Sequence, residues 1–234
     1  MKYDKYFEKY KMIVESVDKV FEQLKEKYPD CVKCKMECDD CCHALFDIGL
    51  IEALYINKKF QEKYSGTELE NLLEKANKAD REVFKLKKAA YKDFKEGKEE
   101  ARILEEMAEK RVRCPMLNDS SQCDIYEFRP ITCRIYGVPT AIGGKGHTCG
   151  LSGFEEGENY PTVNLDVLHE KLHEISQELV IAIKSKYSGL GKLLVPLSMA
   201  LLNEYDEEYM GVGDGEADGK EKREEGDNDD GSDK

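Results

Sequence analysis

The sequence of 234 residues has no tryptophan, only six prolines, only four histidines and no long apolar run. Its longest nearly apolar stretch, residues 193–202, contains Pro196 and Ser198 and is well short of the roughly 20 residues that a membrane-spanning helix needs. The chain also opens without the basic and then apolar leader of a secreted protein. These features argue against a membrane protein and a secreted one, so we expect a cytoplasmic protein with no membrane partner.

The charge of the chain is strongly acidic, with 49 acidic and 36 basic residues and a formal net charge of −13. Residues 211–234 contain mostly Gly, Asp, Glu and Lys, and we expect them to form a disordered acidic tail. An acidic surface repels phosphate backbones, so we expect no nucleic-acid partner. The basic stretch at residues 85–92 has helical spacing and is typical of a solvated helix face. No feature of the sequence identifies a protein partner.

Apolar residues recur at helical spacing over most of the chain, which predicts a mostly α fold. The expected helices cover residues 3–27, 47–64, 67–96, 99–111, 165–182 and 193–209. We expect Asp47 to cap the second helix, and Thr67 with Glu70 to form a capping box at the start of the third. The N-terminal and C-terminal helices should pack together, because each has one apolar stripe to bury.

The composition changes after Arg113. Four of the six prolines and a glycine-rich stretch at residues 143–146 lie between Cys114 and Pro161, so long helices are not expected there, and any strands should be short ones around Cys114 and Cys123. A loop-built region of this kind has little core of its own. We therefore predict one domain over residues 1–210, an antiparallel helical bundle with a loop-rich, metal-stapled cysteine lobe at residues 31–42 and 114–150.

Cysteine is the most informative residue type in the chain. Nine cysteines are an odd number, which argues against a closed set of disulfides and favours metal binding or redox chemistry. Five of them form the pattern Cys31-x2-Cys34-x3-Cys38-x2-Cys41-Cys42, in which neighbouring thiolates can turn toward one centre. The other four, at positions 114, 123, 133 and 149, are too far apart to close on a metal locally, so the fold must bring them together.

Three ordered motifs follow in the second half of the chain: Cys-Pro-Met-Leu at 114–117, Cys-Asp-Ile-Tyr at 123–126 and Arg-Pro-Ile-Thr-Cys-Arg at 129–134. With the vicinal Cys41–Cys42 pair, they make the chain resemble the YkgJ-type cysteine-cluster family, a zinc- or iron-chelating domain. Gln122 stands where that family usually has glycine, and Cys31 is an addition to its minimal pattern. The resemblance implies metal binding without a settled reaction, and some relatives resemble a flagellin lysine methylase.

The spacing and the resemblance together predict eight thiolate ligands, with Cys31 as the spare cysteine. The predicted ligands are Cys34, Cys38, Cys41, Cys42, Cys114, Cys123, Cys133 and Cys149. We expect the two halves to share a site, with Cys38, Cys41 and Cys42 near the cysteines at 114, 123 and 133, which would close the helical insertion between them as a hairpin. An almost purely thiolate set with a vicinal pair favours an iron–sulfur cluster over zinc.

Other residues around Cys133 allow two interpretations. Arg129 and Arg134 flank this cysteine, and their charge would lower thiol pKa values and offset the negative charge of an all-thiolate centre. Ordinary surface ion pairs are the alternative, and the sequence leaves both open. Ile125 and Tyr126 are placed to shield one side of the site from water.

An enzyme is the alternative to a metal-binding protein. Residues 169–173 read His-Glu-Lys-Leu-His, a pattern that on a helix can hold zinc with Glu170 as base. Such a site needs a third ligand, for which Glu178 and Glu204 are the candidates. His43 and His147 are alternative ligands near the cysteines. A methyl-transferring or redox enzyme should instead show a concave pocket beside the cluster with titratable groups of shifted pKa. The chain has no persuasive acid–base pair, so metal binding is the leading hypothesis.

Overall fold

The computed structural model of the protein describes residues 3–35 and 37–212. The described residues form seven α-helices, five short strands and three 3₁₀ turns, so the predicted helical character is confirmed. The helices are α1 (Asp4–Lys27), α2 (Leu50–Lys63), α3 (Gly66–Lys95), α4 (Glu100–Ala108), α5 (Ile131–Ile135), α6 (Leu165–Ala182) and α7 (Leu197–Leu202). The strands are β1 (Asp47–Gly49), β2 (Thr140–Ile142), β3 (Lys145–His147), β4 (Val163–Asn164) and β5 (Leu194–Pro196). The predicted acidic tail lies outside the described residues from position 213 onward.

The strands form two small sheets. β1 pairs antiparallel with β5, with Ile48 opposite Val195, and so joins positions that are far apart in the sequence. β2 pairs antiparallel with β3 and parallel with β4. The turn between β2 and β3 contains Gly143 and Gly144 at φ values of 57° and 77°, a backbone region that glycine adopts without steric cost.

Two hydrophobic clusters form the core. The first contains the apolar stripe of α1, including Tyr10 and Val17, together with residues of α2, α5 and α6. The second is built from α2, α3 and α7 and includes Met116 and Ile125 of the loop region. Tyr55, Leu193 and Tyr205 pack against both clusters and so connect them. The single domain over residues 1–210 stays a prediction.

Two of the predicted stripes, those of α1 and α6, fold as expected, because each has uninterrupted 3.6-residue periodicity. α1 packs against α2, α5 and α6, whereas the last helix, α7, packs against α2 and α3. The C-terminal partner of α1 is therefore α6. None of the helices within the described ranges combines the length and apolarity that a bilayer crossing requires.

Three predictions about element ends are wrong. Asp47 lies in β1, where its carboxylate accepts hydrogen bonds from Lys87 at 2.6 and 2.7 Å, and α2 begins only at Leu50. The Thr67 capping box does not form, since α3 already begins at Gly66 and its N-terminus has no side-chain cap. The helix expected over 193–209 is replaced by β5 and the short α7, because strand pairing and Pro196, which lacks a backbone N–H, delay the helix start.

Candidate metal centre

A cavity of about 880 Å³ lies between α1, α3 and the loop region. All eight cysteines predicted as ligands line this cavity: Cys34, Cys38, Cys41, Cys42, Cys114, Cys123, Cys133 and Cys149. Cys31 does not line it in the part of the chain described, and packs instead against the first hydrophobic cluster. The fold therefore brings together thiols that are up to 115 residues apart in the sequence.

Backbone hydrogen bonds join the two ends of the helical insertion beside the cavity. The Cys114 N–H donates to the Cys42 carbonyl at 2.7 Å, and the Val112 N–H donates to the His43 carbonyl at 3.1 Å. Ala44 and Arg111 form an antiparallel bridge one step further along. The insertion is thus closed at its base, and this closure carries Cys114 to the vicinal pair.

The segment after Cys114 folds back on itself, which places Cys123 beside the same cavity. Leu117 and Cys123 form an antiparallel bridge, and the Asp124 N–H donates to the Met116 carbonyl at 2.8 Å. Met116 and Ile125 are fully buried in the second hydrophobic cluster. These apolar anchors fix the loop. The short strands expected around Cys114 and Cys123 do not form in the described residues, since the pairing there is a single isolated bridge and the five strands lie elsewhere.

Arg134 fixes the short helix α5, which carries Cys133, onto α1. Its side chain is only 7% exposed and donates to Asp18 of α1 at 2.7 Å. It also donates to the carbonyls of Glu127 at 2.6 Å and Arg129 at 3.0 Å. Arg134 is therefore a buried structural residue whose charge is already paired, which matches neither of the two roles left open for it.

Glu52 of α2 holds the start of α5 from the other side. Its side chain is 3% exposed, and its Oε1 accepts hydrogen bonds from the Ile131 N–H at 2.7 Å and from the Tyr10 hydroxyl at 3.1 Å. Burial raises the pKa of Glu52, although both hydrogen bonds act to lower it. The backbone around Cys133 is thus held between α1 and α2.

Arg129 is the cation that acts on the thiols. Its guanidinium stacks on the ring of Tyr126, 3.7 Å from the ring centroid, and both side chains line the cavity. It is among the groups that lower the pKa of Cys34, Cys41 and Cys123. Of the two arginines that flank Cys133, Arg129 is therefore the one that fits the predicted electrostatic role.

Four of the cavity thiols, Cys41, Cys42, Cys114 and Cys133, influence one another's pKa as neighbours. Cys41 accepts from Cys133 and Cys42, and these bonds lower its pKa. Cys114 accepts from Cys42, with the same effect on its pKa. The donors respond in the opposite direction, since these bonds and burial raise the pKa of Cys42 and Cys133. Two thiolates are thereby favoured within a group of neighbouring sulfurs, and thiolates are the form that binds metals.

In three further cavity thiols, Cys34, Cys123 and Cys149, burial is the main influence on the pKa. Burial raises the pKa of Cys123 to about 12 and that of Cys34 to about 11, and it also raises the pKa of Cys149. Cys149 donates to the Asp40 carboxylate at 3.3 Å and accepts from the Leu151 N–H at 3.4 Å. Asp40 is therefore a polar group of the cavity.

The histidines do not join this site in the described part of the chain. His173 of α6 has its Nδ1 2.9 Å from the Gly191 carbonyl, and His43 has its Nδ1 3.1 Å from the Asp39 carbonyl. Burial lowers the pKa of His169. None of the four histidines lines the cavity where the structure describes them, so the zinc-hydrolase pattern of α6 is not supported.

Asp40 and Gly137 are two residues of the site that the sequence did not predict. The only signal for Asp40 is its position directly before the vicinal pair. The Cys34 sulfur lies only 2.0 Å from where a Cβ on Gly137 would be, so this glycine makes room for the thiol. No local pattern reveals that contact.

The donor atoms line the cavity without yet converging on one point. Within residues 3–35 and 37–212, no three Cys, His, Asp or Glu side chains are gathered tightly enough to enclose a metal ion. Several of the sulfurs instead have other cysteine sulfurs as the neighbours that set their pKa. The donor set nonetheless has the chemistry that thiophilic metals require, because every predicted thiol faces the same space.

The fold and the cavity define a helical protein in which eight thiols line one cavity. A family model, CxxCxxCC, "Putative zinc- or iron-chelating domain", matches residues 33–150. This match covers half of the chain, and the chain belongs to that family, which confirms the cysteine-cluster resemblance. The protein therefore has a zinc- or iron-chelating domain, with a metal ion as its partner. No curated protein and no solved structure was found to match.

Proposed function

We propose that this protein binds its metal through thiolates from both halves of the chain. The proposed ligands are the eight cysteines that line the cavity: Cys34, Cys38, Cys41, Cys42, Cys114, Cys123, Cys133 and Cys149. The observation that carries the proposal is their common orientation toward one cavity while the ninth cysteine, Cys31, packs elsewhere. Eight thiols at one cavity is the arrangement that a shared thiolate site requires.

An iron–sulfur cluster is the cofactor that the central thiols suit best. Cys41, Cys42, Cys114 and Cys133 are neighbours that influence one another's pKa, and iron–sulfur clusters are held by cysteine thiolates. A bound cluster of this kind supplies one-electron transfer. Zinc is the other metal class that accepts four thiolates, and the chemical analysis below separates the two.

The residues around the thiols balance charge, position Cys133 and exclude water. Arg129 offsets the negative charge that several thiolates create, and the ring of Tyr126 holds its guanidinium in place. Arg134 and Glu52 hold α5, and with it Cys133, at a fixed distance from α1 and α2. The buried Ile125 closes one side of the cavity to water.

The test is anaerobic purification followed by analysis of iron, zinc and acid-labile sulfide and by visible absorption. We expect a brown protein with iron and sulfide. We also expect Cys114→Ser and Cys133→Ser to lose most of this metal, whereas the control Cys31→Ser keeps it. Colourless protein with stoichiometric zinc would overturn the cluster assignment, and full metal content in both second-half variants would overturn the shared site.

A second candidate is an enzyme that uses the centre, and the size of the cavity favours it. The cavity extends past the thiols to an apolar wall that includes Phe46, Val83 and Leu197, which is more space than a metal centre needs. Apart from cysteines, Tyr136 is a cavity-lining group whose pKa is shifted, raised mainly by burial. Titration calorimetry with S-adenosylmethionine tests the methyl-transfer version, which requires saturable binding.

A further inference from the structure

The second half of α3 has five basic side chains along one face, which we call the basic stripe. Its members follow one another at intervals of four, three, four and three residues, so they lie one above the other on the helix surface. All five are exposed, and at 1.5 Å per residue the stripe is about 21 Å long. The basic stripe consists of Arg81, Lys85, Lys88, Lys92 and Lys95.

The positive charge of this helix segment contrasts with the rest of the chain. Residues 81–95 contain six basic and two acidic residues, a net charge of +4. Since the whole chain carries −13, the residues outside this segment carry −17. Charges of one sign that stand three or four residues apart on a helix repel each other and destabilise it. The stripe therefore concentrates positive charge, at a cost to α3, in a chain that is otherwise strongly acidic.

Most of the stripe has no carboxylate partner within the part of the chain that the structure describes. Lys92 lies 3.6 Å from Glu96, and their side chains are 74% and 64% exposed, which makes this ion pair a weak one. The other four members form no ion pair with a described acidic residue. By contrast, Lys87 lies off the stripe and contacts the Asp47 carboxylate at 2.6 Å. The stripe is thus a surface whose counter-charge must come from elsewhere.

The acidic tail has the complementary charge. Residues 213–234 contain ten acidic and four basic residues, and residues 224–233 alone contain six acidic and no basic ones. The same 22 residues include no large apolar side chain. Charge pairing, rather than apolar burial, is therefore the interaction that this segment offers to a surface.

The tail is long enough to reach the stripe from the point where the described residues end. Val212 forms a bridge with Ser185 and packs against the first hydrophobic cluster, so the start of the tail is held on the folded domain. A domain of about 210 residues has a radius of gyration of about 17 Å, and 22 residues span up to about 70 Å when extended. Covalent linkage also gives the tail an effective concentration in roughly the millimolar range. An acidic segment of another molecule lacks this advantage.

We propose that the acidic tail docks on the basic stripe of its own chain, with the carboxylates of residues 224–233 paired with the stripe side chains. Docking relieves the repulsion within the stripe and neutralises a surface that attracts phosphate-bearing polymers. The paired charges are exposed, so docking weakens as the salt concentration rises. This inference goes beyond the proposed metal binding and does not depend on it.

The test compares the full-length chain with a variant of the same length in which the six carboxylates of residues 224–233 are replaced by amides. The substitutions are Glu224→Gln, Glu225→Gln, Asp227→Asn, Asp229→Asn, Asp230→Asn and Asp233→Asn. Both proteins are acetylated briefly at low salt, and the labelling of each lysine is quantified by peptide mass spectrometry. We expect Lys85, Lys88 and Lys95 to react at least about twofold more slowly in the wild type than in the variant. This difference should vanish in about 0.5 M salt, where the screening length is roughly 4 Å.

Lys75 is the internal control, because it is exposed on the same helix but lies off the stripe. Equal labelling of the stripe lysines in the two proteins overturns the proposal, and so does slower labelling that Lys75 shares. Protection that grows with protein concentration also overturns it, because the tail of a second copy is then the occupant.

Carbodiimide cross-linking of the dilute wild-type chain gives a second measurement that needs no variant. Amide bonds between residues 224–233 and the stripe lysines within a monomer support docking. Cross-links from these residues that are confined to other lysines contradict it.

Discussion

A methyl group on Gly137 would collide with the sulfur of Cys34. The Cβ of an alanine at this position would lie 2.0 Å from the Cys34 sulfur, and 3.8 Å from the ring of Phe21. Ordinary contacts begin at 3.4 Å, so the sulfur must withdraw by about 1.4 Å. Metal–ligand distances tolerate only about 0.2 Å of variation, and Gly137→Ala should therefore remove Cys34 from its metal site.

The Gly137→Ala substitution should also lower the free energy of unfolding. Gly137 does not have a positive φ, so an alanine without a clash would stabilise the fold by about 0.4 to 1 kcal/mol. The clash reverses this sign, because overpacking typically costs about 1 to 3 kcal/mol. We expect Gly137→Ala to lose bound metal and to unfold at lower urea concentration.

The matched control is Gly189→Ala. Gly189 has a φ of −82° and nothing within 4 Å of an added Cβ, so this variant should keep its metal and lose no stability. Wild-type metal content and wild-type urea resistance in Gly137→Ala would refute the close packing of Cys34 on residue 137.

Three further variants test the surroundings of the site. Arg134→Ala removes a buried guanidinium that binds Asp18, and it should cost about 2 to 4 kcal/mol in urea unfolding; a loss within experimental error would contradict the structural role. Because burial raises the pKa of Glu52, wild-type stability should fall as the pH rises from the ordinary value of 4.5 through the raised value. Glu52→Gln should abolish that fall in urea titrations at acidic and neutral pH, and equal pH profiles would contradict it. His169→Gln should keep its full metal content, and a loss would revive the histidine motif of α6.

The helices with long apolar stripes could be predicted from the sequence because the spacing of apolar residues within each helix is enough to define it. α1 and α6 were predicted over 3–27 and 165–182 and occupy Asp4–Lys27 and Leu165–Ala182. The region after residue 193 could not be predicted in this way, because β5 exists only through pairing with β1. Tertiary pairing there overrides a helical periodicity that is itself real.

The same distinction between local sequence pattern and tertiary contact applies to the candidate site. Cysteine spacing and the three motifs predicted the thiol ligands, because cysteine is one of the few residue types that bind metals. The roles of Asp18, Asp40 and Gly137 depend on contacts across the fold: Asp18 meets Arg134 over 116 residues of sequence. Such partners have no local pattern, so only the packed structure shows which arginine is buried and which one faces the thiols.

Sharing of the site by both halves of the chain is tested most directly by differential alkylation. Wild-type protein is treated with iodoacetamide before and after metal removal by a chelator, and each cysteine is quantified by peptide mass spectrometry. The eight cavity thiols should be protected together by metal and become reactive together when it is removed, while Cys31 reacts independently of metal. If Cys114, Cys123 and Cys133 react equally with and without metal while Cys34, Cys38, Cys41 and Cys42 are protected, the second half of the chain does not bind the metal.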